Sequence, residues 1–245
     1  PDKYIYSPYQ TAPTTVVQTI IGTYAPANYT TTNETFTLTY EFIVSEQIKD
    51  FDSSLARFDV FAARTDDMVA SVATAIDTYV LNKICDGGTG SYSTPSGGFT
   101  TPANIPVILA NLCSKVAGYA ETYKGLYLVI ENTDLVGFMQ YQPASGFSYA
   151  DAALNNGFMA HIMGVDIYVV RTGTFQTATI GEAFTNLNHR LFGVKGVTTY
   201  AAPRGVQVEE KAVSGMTGKE VVVYGYAGAV VWTPKATLTI DITVV

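Results

Sequence analysis

The sequence predicts an α+β fold, in which a pair of strands and a long helix precede a mixed region that ends in strands. Residues 15–23 and 35–44 both alternate between apolar and polar side chains with the period of a strand, and a Thr-, Asn- and Pro-containing loop, residues 24–34, joins them. From residue 52 to about residue 85 the period changes to that of a helix. A lone hairpin is marginal in water, so we expect this two-stranded arm to lie on another surface, most simply that of a neighbouring copy.

The composition favours a protein with large subunit interfaces. The 245 residues are 47% hydrophobic and 14% charged, which suffices for one large or two closely packed domains. So few Lys and Glu side chains would leave a monomer poorly soluble, whereas contacts between subunits would cover the apolar surface. The net charge is −7 and no run of Lys or Arg occurs. Because sequence-independent nucleic-acid binding needs many cationic phosphate contacts, the chain is a poor candidate for binding nucleic acid, although a wall that encloses DNA without binding it would fit the sign of the charge.

No segment indicates a membrane or a secretory pathway. Residues 1–10 lack the apolar core of a signal peptide, and the longest apolar stretch, residues 221–232, is too short to cross a bilayer. Cys85 and Cys113 have no metal-binding or redox spacing, so each is expected to be a small buried side chain, while the sequence leaves a disulfide between them open. The sequence begins without Met, which fits either a trimmed sequence or a processed protein.

Residues 1–13 are predicted to be an extended strap, because Pro8 and Pro13 bias the residues before them away from helix. The strap is either an arm across a neighbour or a frayed terminus. In residues 35–44 one face is aromatic and aliphatic and the other carries Thr and Glu, as in a half-buried strand. We expect the strap, the loop and this strand to contact neighbouring subunits through nine side chains: Tyr4, Tyr6, Tyr9, Tyr24, Tyr29, Phe36, Leu38, Tyr40 and Phe42.

The helix that follows is predicted to be unusually long. Acidic and Ser residues in the segment 46–54 suit a helix start. Apolar residues then recur, nearly always every three or four positions, and form one stripe: Leu55, Phe58, Phe61, Met68, Val72, Ile76, Val80 and Ile84. Lys83, Gly87 and Gly88 provide a C-terminal stop. About thirty residues would give a rod of roughly 45 Å, which is longer than an ordinary core helix and suggests the spine of a scaffold.

The rest of the chain mixes helices and strands. Residues 87–101 are rich in Gly, Ser, Thr and Pro and are predicted to be a loop between domains. Apolar periodicity then predicts helices at 102–119 and 132–141 and strands at 125–131 and 165–171. From residue 190 onward strands dominate, at 191–198, 206–211, 220–232 and 236–244.

The chain lacks recognisable catalytic and cofactor motifs. It has no G-x-S-x-G nucleophile elbow, and the Gly88-x-Gly90 pair lacks the third glycine of a dinucleotide loop. The two histidines do not make a recognisable metal set; we expect His161 to be satisfied and partly buried, and His189 to be a surface or interface group. We therefore predict no catalytic residue, no cofactor and no metal site, and a protein that is not an enzyme.

The order of these parts resembles the major capsid protein of tailed bacteriophages, whose fold is shared with encapsulins and the herpesvirus capsid floor. Three phrases carry the resemblance: LYLVI at 126–130 before the helix that begins near Thr133, IMGVDIYVV at 162–170 with its Gly before the strand, and YAGAVVWTPKA at 226–236. The resemblance covers nearly the whole chain and rests on layout together with these phrases.

The resemblance implies five parts: an N-terminal arm (1–13), an extended β-hairpin loop (14–50), a peripheral domain with the spine helix (51–101), an axial domain (102–188) and late strands that return to the peripheral domain (189–245). It implies a virion protein that self-assembles in the host cytoplasm, through pentamers and hexamers, into an icosahedral shell around double-stranded DNA. Scaffolding, portal and decoration proteins would be its other partners, with no membrane involved. Covalent crosslinking is not implied, because Lys49 is the extended loop's only Lys and lies near its base.

Three other functions are weighed against this one. An encapsulin-type compartment would have the same fold and a cargo-docking inner surface. An extracellular β-rich adhesin would share the Thr- and Tyr-rich composition, but it should have a signal peptide and evenly spaced strands, and the long helix argues against it. A hydrolase that uses His189 or Cys113 would require a pocket that gathers these groups with a partner base.

Overall fold

The computed structural model describes residues 4–10, 31–38, 40–49, 59–119, 124–141, 158–175, 178–179, 182–184, 188–213 and 217–245. The chain divides into two compact units, Pro1–Thr39 and Tyr40–Val245. None of the helices within the described ranges combines the length and the hydropathy that crossing a membrane requires.

The described elements alternate between strands and helices along the chain. The helices are α1 (Val60–Gly87), α2 (Asn104–Val116) and α3 (Leu135–Gln140). The strands are β1 (Tyr4–Gln10), β2 (Thr31–Thr37), β3 (Glu41–Lys49), β4 (Gly90–Ser93), β5 (Leu126–Glu131), β6 (Phe158–Ile162), β7 (Val165–Val170), β8 (Ala178–Thr179), β9 (Glu182–Ala183), β10 (His189–Val194), β11 (Thr198–Ala201), β12 (Gln207–Ala212), β13 (Gly218–Tyr226), β14 (Gly228–Val231) and β15 (Thr239–Thr243). Short 3-10 helices occupy Gly98–Thr100, Asn132–Asp134 and Thr233–Leu238.

The first unit contains a two-stranded antiparallel ladder of β1 and β2, which runs from Tyr4 opposite Thr37 to Gln10 opposite Thr31. The predicted strap is therefore a strand within this ladder. We expected residues 35–44 to pair with residues 15–23, which lie outside the described residues. The part of that segment within β2 pairs with β1, which the sequence did not indicate, because alternation identifies a strand without identifying its partner.

Residues 35–44, predicted to be one strand, are divided between the two units. The segment ends as β2 at Thr37 and resumes as β3 at Glu41, where it joins β13 in the antiparallel sheet β12-β13-β3. The alternation of apolar side chains continues in phase across the break, from Phe36 to Phe42. The period therefore gives no sign that the chain leaves one sheet and enters another.

Helix α1 is the long spine that the sequence predicts. Its 28 residues correspond to about 42 Å at 1.5 Å per residue. It begins after Asp59, whose side chain accepts a hydrogen bond from the Ala62 N–H at 3.1 Å, and it ends at the predicted glycines, where the Gly88 N–H donates to the Cys85 carbonyl. The helix start that we expected in the segment 46–54 is not found in residues 46–49, which belong to β3, where Glu46 forms an ion pair with Arg64. Residues 50–54 lie outside the described residues.

Within the described residues, the predicted stripe of α1 packs on two different sheets, while its first members, Leu55 and Phe58, lie outside the described residues. Near its N-terminal half, Met68, Val72, Ile76 and Tyr79 pack with Phe42, Val221 and Val223 of the three-stranded sheet. Near its C-terminal end, Ile84 and Cys85 pack with Val129 and Leu191 of a larger sheet. The helix therefore connects the three-stranded and the six-stranded sheets of the second unit.

The larger sheet has the order β4-β15-β10-β5-β7-β6. Its two parallel pairs are β15 with β4 and β5 with β7, and its other pairs are antiparallel. Helix α2 covers the face opposite α1 with the predicted apolar side chains Ile105, Leu109, Leu112 and Val116. Residues 87–101, predicted to be a loop, contain β4, because pairing with the distant β15 overrides their Gly- and Ser-rich composition.

The connection between β6 and β7 explains the glycine in the capsid-like phrase at 162–170. Ile162 pairs with Val165, so Met163 and Gly164 form a two-residue turn, and their φ angles are 52° and 82°. Turns with two positive φ values match the twist of antiparallel strands and favour glycine. Gly164 is therefore required by the turn.

Gly137 allows α3 to approach the 3-10 helix Gly98–Thr100 closely. A Cβ atom at residue 137 would lie 1.9 Å from the carbonyl oxygen of Phe99. Phe138 and Phe99 stack beside this contact with their ring centroids 5.8 Å apart. Only a glycine at 137 permits this packing without a shift of the backbone.

We predict that Gly137→Ala lowers the free energy of unfolding by about 1–3 kcal/mol, the usual cost of overpacking. The overlap with the Phe99 backbone should outweigh the gain of about 1 kcal/mol that alanine brings to a helix. Urea denaturation measures the change. Gly118→Ala is the control, because the described structure places no atom beyond its chain neighbours within 4 Å of the added Cβ. Equal stabilities of the two variants would contradict the prediction.

Candidate functional site

The predicted interface residues of the first unit lie on its ladder. Tyr4, Tyr6 and Tyr9 are in β1, and Phe36 is in β2 opposite Ile5. Leu38 follows β2 and is partly buried. The other two predicted residues of the amino-terminal region, Tyr24 and Tyr29, lie outside the described residues. The ladder thus brings the strap and the end of the loop together through backbone pairing.

The two predicted interface residues of the second unit face α1. The ring centroid of Tyr79 lies 5.3 Å from that of Tyr40 and 5.4 Å from that of Phe42, both in edge-on geometry. Phe42 is only 1% exposed. Phe42 is therefore a core residue of its own chain, because the face of β3 on which it lies packs against α1, and we leave it out of the candidate interface.

The opposite face of the three-stranded sheet is open and carries apolar and aromatic side chains. Ile43 is 59% exposed and pairs with Tyr224. The Tyr224 hydroxyl donates to Glu209 at 2.7 Å, and the Tyr226 hydroxyl donates to Glu41 at 2.8 Å. These hydrogen bonds raise the pKa of both tyrosines, so both hydroxyls stay neutral donors. We call Ile43, Tyr224, Tyr226, Glu41 and Glu209 the outer sheet face.

A cleft of about 180 Å³ lies beside Tyr226, between α1 and the segment that leads into β12. Its lining includes Tyr200, which is 56% exposed, together with Asp77 and Arg204. Partial burial raises the pKa of the Asp77 carboxyl. Tyr and Arg are enriched where proteins meet, so the cleft extends the outer sheet face as a candidate contact surface. Sequence reasoning missed this surface, because adjacency of β3, β12 and β13 is a property of the fold.

A buried ionic cluster lies at the end of β5. The Arg190 guanidinium contacts the Asp134 carboxylate and lies 3.3 Å from the Glu131 carboxylate, and all three side chains are buried. The other carboxylate oxygen of Glu131 accepts hydrogen bonds from the Gly173 and Phe175 N–H groups, at 3.1 and 3.2 Å. The cluster therefore attaches the segment 171–175 to β5 and β10.

Helix α1 is attached to the same segment by Asn82, which is fully buried. Its side-chain amide donates to the Thr174 carbonyl at 2.6 Å and to the Thr78 carbonyl at 2.7 Å. Buried polar groups are costly unless they are hydrogen-bonded. The hydrogen bonds of Asn82 and of the ionic cluster therefore favour one arrangement of α1, β5 and β10.

His189 is not the surface or interface group that we expected. Its side chain is 18% exposed, and its Nδ1 lies 2.7 and 2.8 Å from the two carboxylate oxygens of Asp241. The Cys85 thiol donates to Asp241 at 3.2 Å. Burial, followed by the charge of Asp241, raises the pKa of the Cys85 thiol, so it is not a thiolate nucleophile. His189 begins β10 and lies beside Cys85 at the end of α1. This proximity is not apparent from the sequence, because the two residues are far apart along the chain.

The alternative of a hydrolase gains no support from Cys113. The Cys113 side chain is partly buried on α2, and its burial raises the pKa of the thiol. Among the described residues His189 bonds to Asp241 rather than to Cys113. Both cysteines are free, so the disulfide left open by the sequence is absent.

His161 is satisfied, as predicted, but its side chain is exposed rather than partly buried, because β6 is at the edge of its sheet. Its Nδ1 lies 2.7 Å from one carboxylate oxygen of Asp166, and the Lys195 ammonium contacts the other. Lys195, followed by His161, holds the pKa of Asp166 below its usual value. Asp166 in turn raises the pKa of Lys195.

Comparisons by sequence and by structure give different results. No family model matches the chain, and no curated protein matches it. Solved structures do match. The capsid of the cyanophage P-SCSP1u has a TM-score of 0.69 at 14% identity, over 100% of this chain and 84% of that one. Mycobacterium phage Che8 has a TM-score of 0.68 at 14% identity, over 98% and 84%. A virus-like particle from Pyrococcus furiosus has a TM-score of 0.60 at 11% identity, over 86% and 79%.

The chain therefore has the fold of the major capsid proteins of tailed phages, as the resemblance of its parts predicted. The fold is conserved here at an identity too low for a sequence match. Similarity at this level reports on the fold and does not by itself report on function.

We predict that Arg190→Ala lowers the free energy of unfolding by about 3–5 kcal/mol, because it leaves two buried carboxylates without their cation. Chemical denaturation of the subunit measures the loss. Arg171→Ala removes an exposed guanidinium from the adjoining segment and should change the stability by less than about 0.5 kcal/mol. Adding Glu131→Gln and Asp134→Asn to Arg190→Ala should recover part of the loss, and a loss that does not recover would contradict an electrostatic cause.

The lowered pKa of Asp166 predicts a pH-dependent contribution to stability. This contribution is fully present above the unfolded-state value of about 3.9, and it is lost as the pH falls through the lower folded-state value. We expect Asp166→Asn to reduce the free energy of unfolding by about 0.2–1 kcal/mol at neutral pH, as for other solvent-screened pairs. Denaturation curves at a series of pH values should show this difference shrinking below about pH 4. A difference that stays constant into acid would contradict the assignment.

Proposed function

We propose that this chain is the major capsid protein of a tailed phage, a subunit that assembles through pentamers and hexamers into an icosahedral shell around double-stranded DNA. The observation that carries the proposal is the extent of the similarity. The matches to a phage capsid and to phage Che8 cover 98–100% of this chain, so the similarity extends over nearly all of the given sequence.

The surface of the second unit supports assembly. Ile43 and Tyr226 lie on the outer sheet face, and Tyr200 lies in the adjoining cleft. These exposed apolar or aromatic side chains share one region of the surface. Aromatic residues are enriched at the centres of protein interfaces. We propose that this region receives a different patch of a neighbouring subunit. Such heterologous contacts form closed rings when the rotation between subunits allows it.

The first unit is our candidate for the patch that contacts this region of a neighbouring subunit. Its β1–β2 ladder is a two-stranded sheet, and such a sheet is marginal in water unless another surface covers one of its faces. We propose that a neighbouring subunit covers it, through the predicted residues Tyr4, Tyr6, Tyr9, Tyr24, Tyr29, Phe36 and Leu38, and that Tyr40 of the second unit adds to the contact. We propose that the chain has the five parts predicted from its sequence: the arm (1–13), the extended loop (14–50), the peripheral domain (51–101), the axial domain (102–188) and the returning strands (189–245).

The negative net charge of the chain favours a shell that encloses DNA without binding its phosphates. The net charge is −7, with 14 Lys and Arg residues against 21 Asp and Glu residues. A protein that neutralises many phosphates needs clustered cations. We propose a shell in the virion, assembled in the host cytoplasm, with scaffolding, portal and decoration proteins as further partners and without a specific DNA site or an enzymatic activity.

A second candidate is a compartment shell of the encapsulin type. The similarity to a virus-like particle from Pyrococcus furiosus favours keeping it, because that protein shares the fold at a TM-score of 0.60. Genes for a portal and a terminase beside this one would support the phage shell. A neighbouring gene for a cargo enzyme would support the compartment.

The proposal predicts particles. We expect the full chain, expressed alone or with a scaffolding protein, to form shells or rings of five and six subunits that are visible by negative-stain electron microscopy. Deletion of residues 1–10 should abolish these assemblies, because it removes β1 from the ladder. The second unit has its own buried cores, so the shortened chain should retain its circular dichroism and its cooperative unfolding.

One result would contradict the assembly proposal as a whole, and another would contradict only the role of the ladder. One is a folded full-length chain that remains monomeric with and without the scaffolding protein at every concentration tested. The other is a shortened chain that assembles as well as the full one, which would remove the role of the ladder while leaving the shell itself intact.

A further inference from the structure

Three side chains with metal-binding chemistry meet where the end of α1 reaches the six-stranded sheet. Cys85 lies in the last turn of α1, His189 begins β10 and Asp241 is the central residue of β15. One ligand atom from each side chain lies within 4.8 Å of the other two. The shared neighbour is an Asp241 carboxylate oxygen, 2.7 Å from His189 Nδ1 and 3.2 Å from Cys85 Sγ.

The alternation of β15 explains why a carboxylate lies there. Ile240 and Ile242 point into the apolar core on the α2 side of the sheet. Asp241 therefore points to the opposite face, where Cys85 and Leu191 lie in the apolar cluster below α1. An ionised group at the edge of an apolar cluster is costly unless hydrogen bonds or a cation compensate it.

The donor set suits a zinc-like cation. Thiolate, imidazole and carboxylate are the three usual zinc ligands, with bond lengths of about 2.0–2.3 Å in a tetrahedral arrangement. Ligand atoms around such a cation are therefore roughly 3.3–3.8 Å apart. The distances of 2.7 and 3.2 Å found here are those of hydrogen bonds, so shifts of about 1 Å or less would open the space for an ion.

Charge and access also favour a divalent cation. Binding would displace the thiol proton to solvent, and the charges of the thiolate and the Asp241 carboxylate would then balance the two positive charges of the metal. Cys85 is fully buried, whereas the His189 and Asp241 side chains remain 18% and 26% exposed. The exposed side gives an ion a route into the site and leaves room for water as a fourth ligand.

We propose that Cys85, His189 and Asp241 form a binding site for a zinc-class divalent cation, which would tie the end of α1 to β10 and β15. The proposal does not rest on the shell function, since the three residues meet within one chain. Without the metal, the same groups form a hydrogen-bonded cluster, and the test must separate these two states.

Cobalt(II) is the probe, because a thiolate ligand gives it a charge-transfer absorption band and tetrahedral coordination gives it strong visible bands. The full-length protein is refolded without metal under reducing conditions and titrated with Co²⁺. We expect both sets of bands to saturate at one equivalent and to disappear when Zn²⁺ is added. Zn²⁺ should also raise the temperature of thermal unfolding, because a ligand that binds only the folded state stabilises it.

Three variants assign the bands to residues. Cys85→Ser keeps a hydroxyl that can donate to Asp241 and should lose the charge-transfer band. His189→Gln should weaken Co²⁺ binding by at least about tenfold, the scale of change seen even for groups that only support metal ligands. Cys113→Ser makes the same chemical change at the chain's other thiol, on α2, and should bind Co²⁺ like the wild-type protein.

A folded wild-type protein without the charge-transfer band would overturn the proposal and leave the cluster as hydrogen bonds alone. So would a band that persists in Cys85→Ser or that vanishes in Cys113→Ser. If Cys85→Ser does not fold, the wild-type titration and the His189→Gln affinity decide the question, and an unchanged affinity in His189→Gln overturns the three-residue site.

Discussion

The packing of one helix against two sheets is the constraint on which the rest of the second unit depends. Helix α1 spans about 42 Å at the standard rise per residue, and its apolar stripe has to be covered along most of that length. The three-stranded sheet covers Met68 to Tyr79, and the six-stranded sheet covers Ile84 and Cys85. Each sheet in turn buries one face on the helix. Loss of this packing would leave apolar surface exposed on all three elements at once, so the helix makes the two sheets parts of one unit.

Apolar packing stabilises the contact between α1 and the sheets, but it does not fix one orientation of the helix, because the hydrophobic effect is non-directional. The polar groups where α1 meets the larger sheet supply direction. Asn82 bonds to the backbone of the segment 171–175, and Glu131 bonds to two N–H groups of the same segment. Arg190 holds Glu131 beside Asp134. A helix that rotated or slid on the sheet would leave these buried groups unpaired. A defined angle between the two sheets would suit the regular contacts between copies that we propose.

Local sequence patterns predicted much of this structure, and particular residues show where such patterns no longer suffice. The stripe through Met68, Val72 and Ile76 repeats at helical spacing within one element, so it could be predicted from neighbours a few positions away. The break near Leu38 could not, because alternation continues in phase while the chain changes its partner strand. Phe42 was expected at a subunit interface for a similar reason. The alternation shows that Phe42 lies on a buried face of its strand, but it does not show whether the same chain or another chain packs on that face. Here α1 of the same chain does.

The amino-acid sequence by itself determined the α+β class, the long helix with its glycine stop, most of the later strands and the low content of charge. These are properties of residues close together along the chain, where spacing and capping act. Tertiary structure alone decided which strands pair, including β4 with β15 across a Gly-rich segment expected to be a loop. It also decided that Cys85, His189 and Asp241 come together. The physical reason is that such contacts depend on the free energy of packing distant segments against one another, which no local period records.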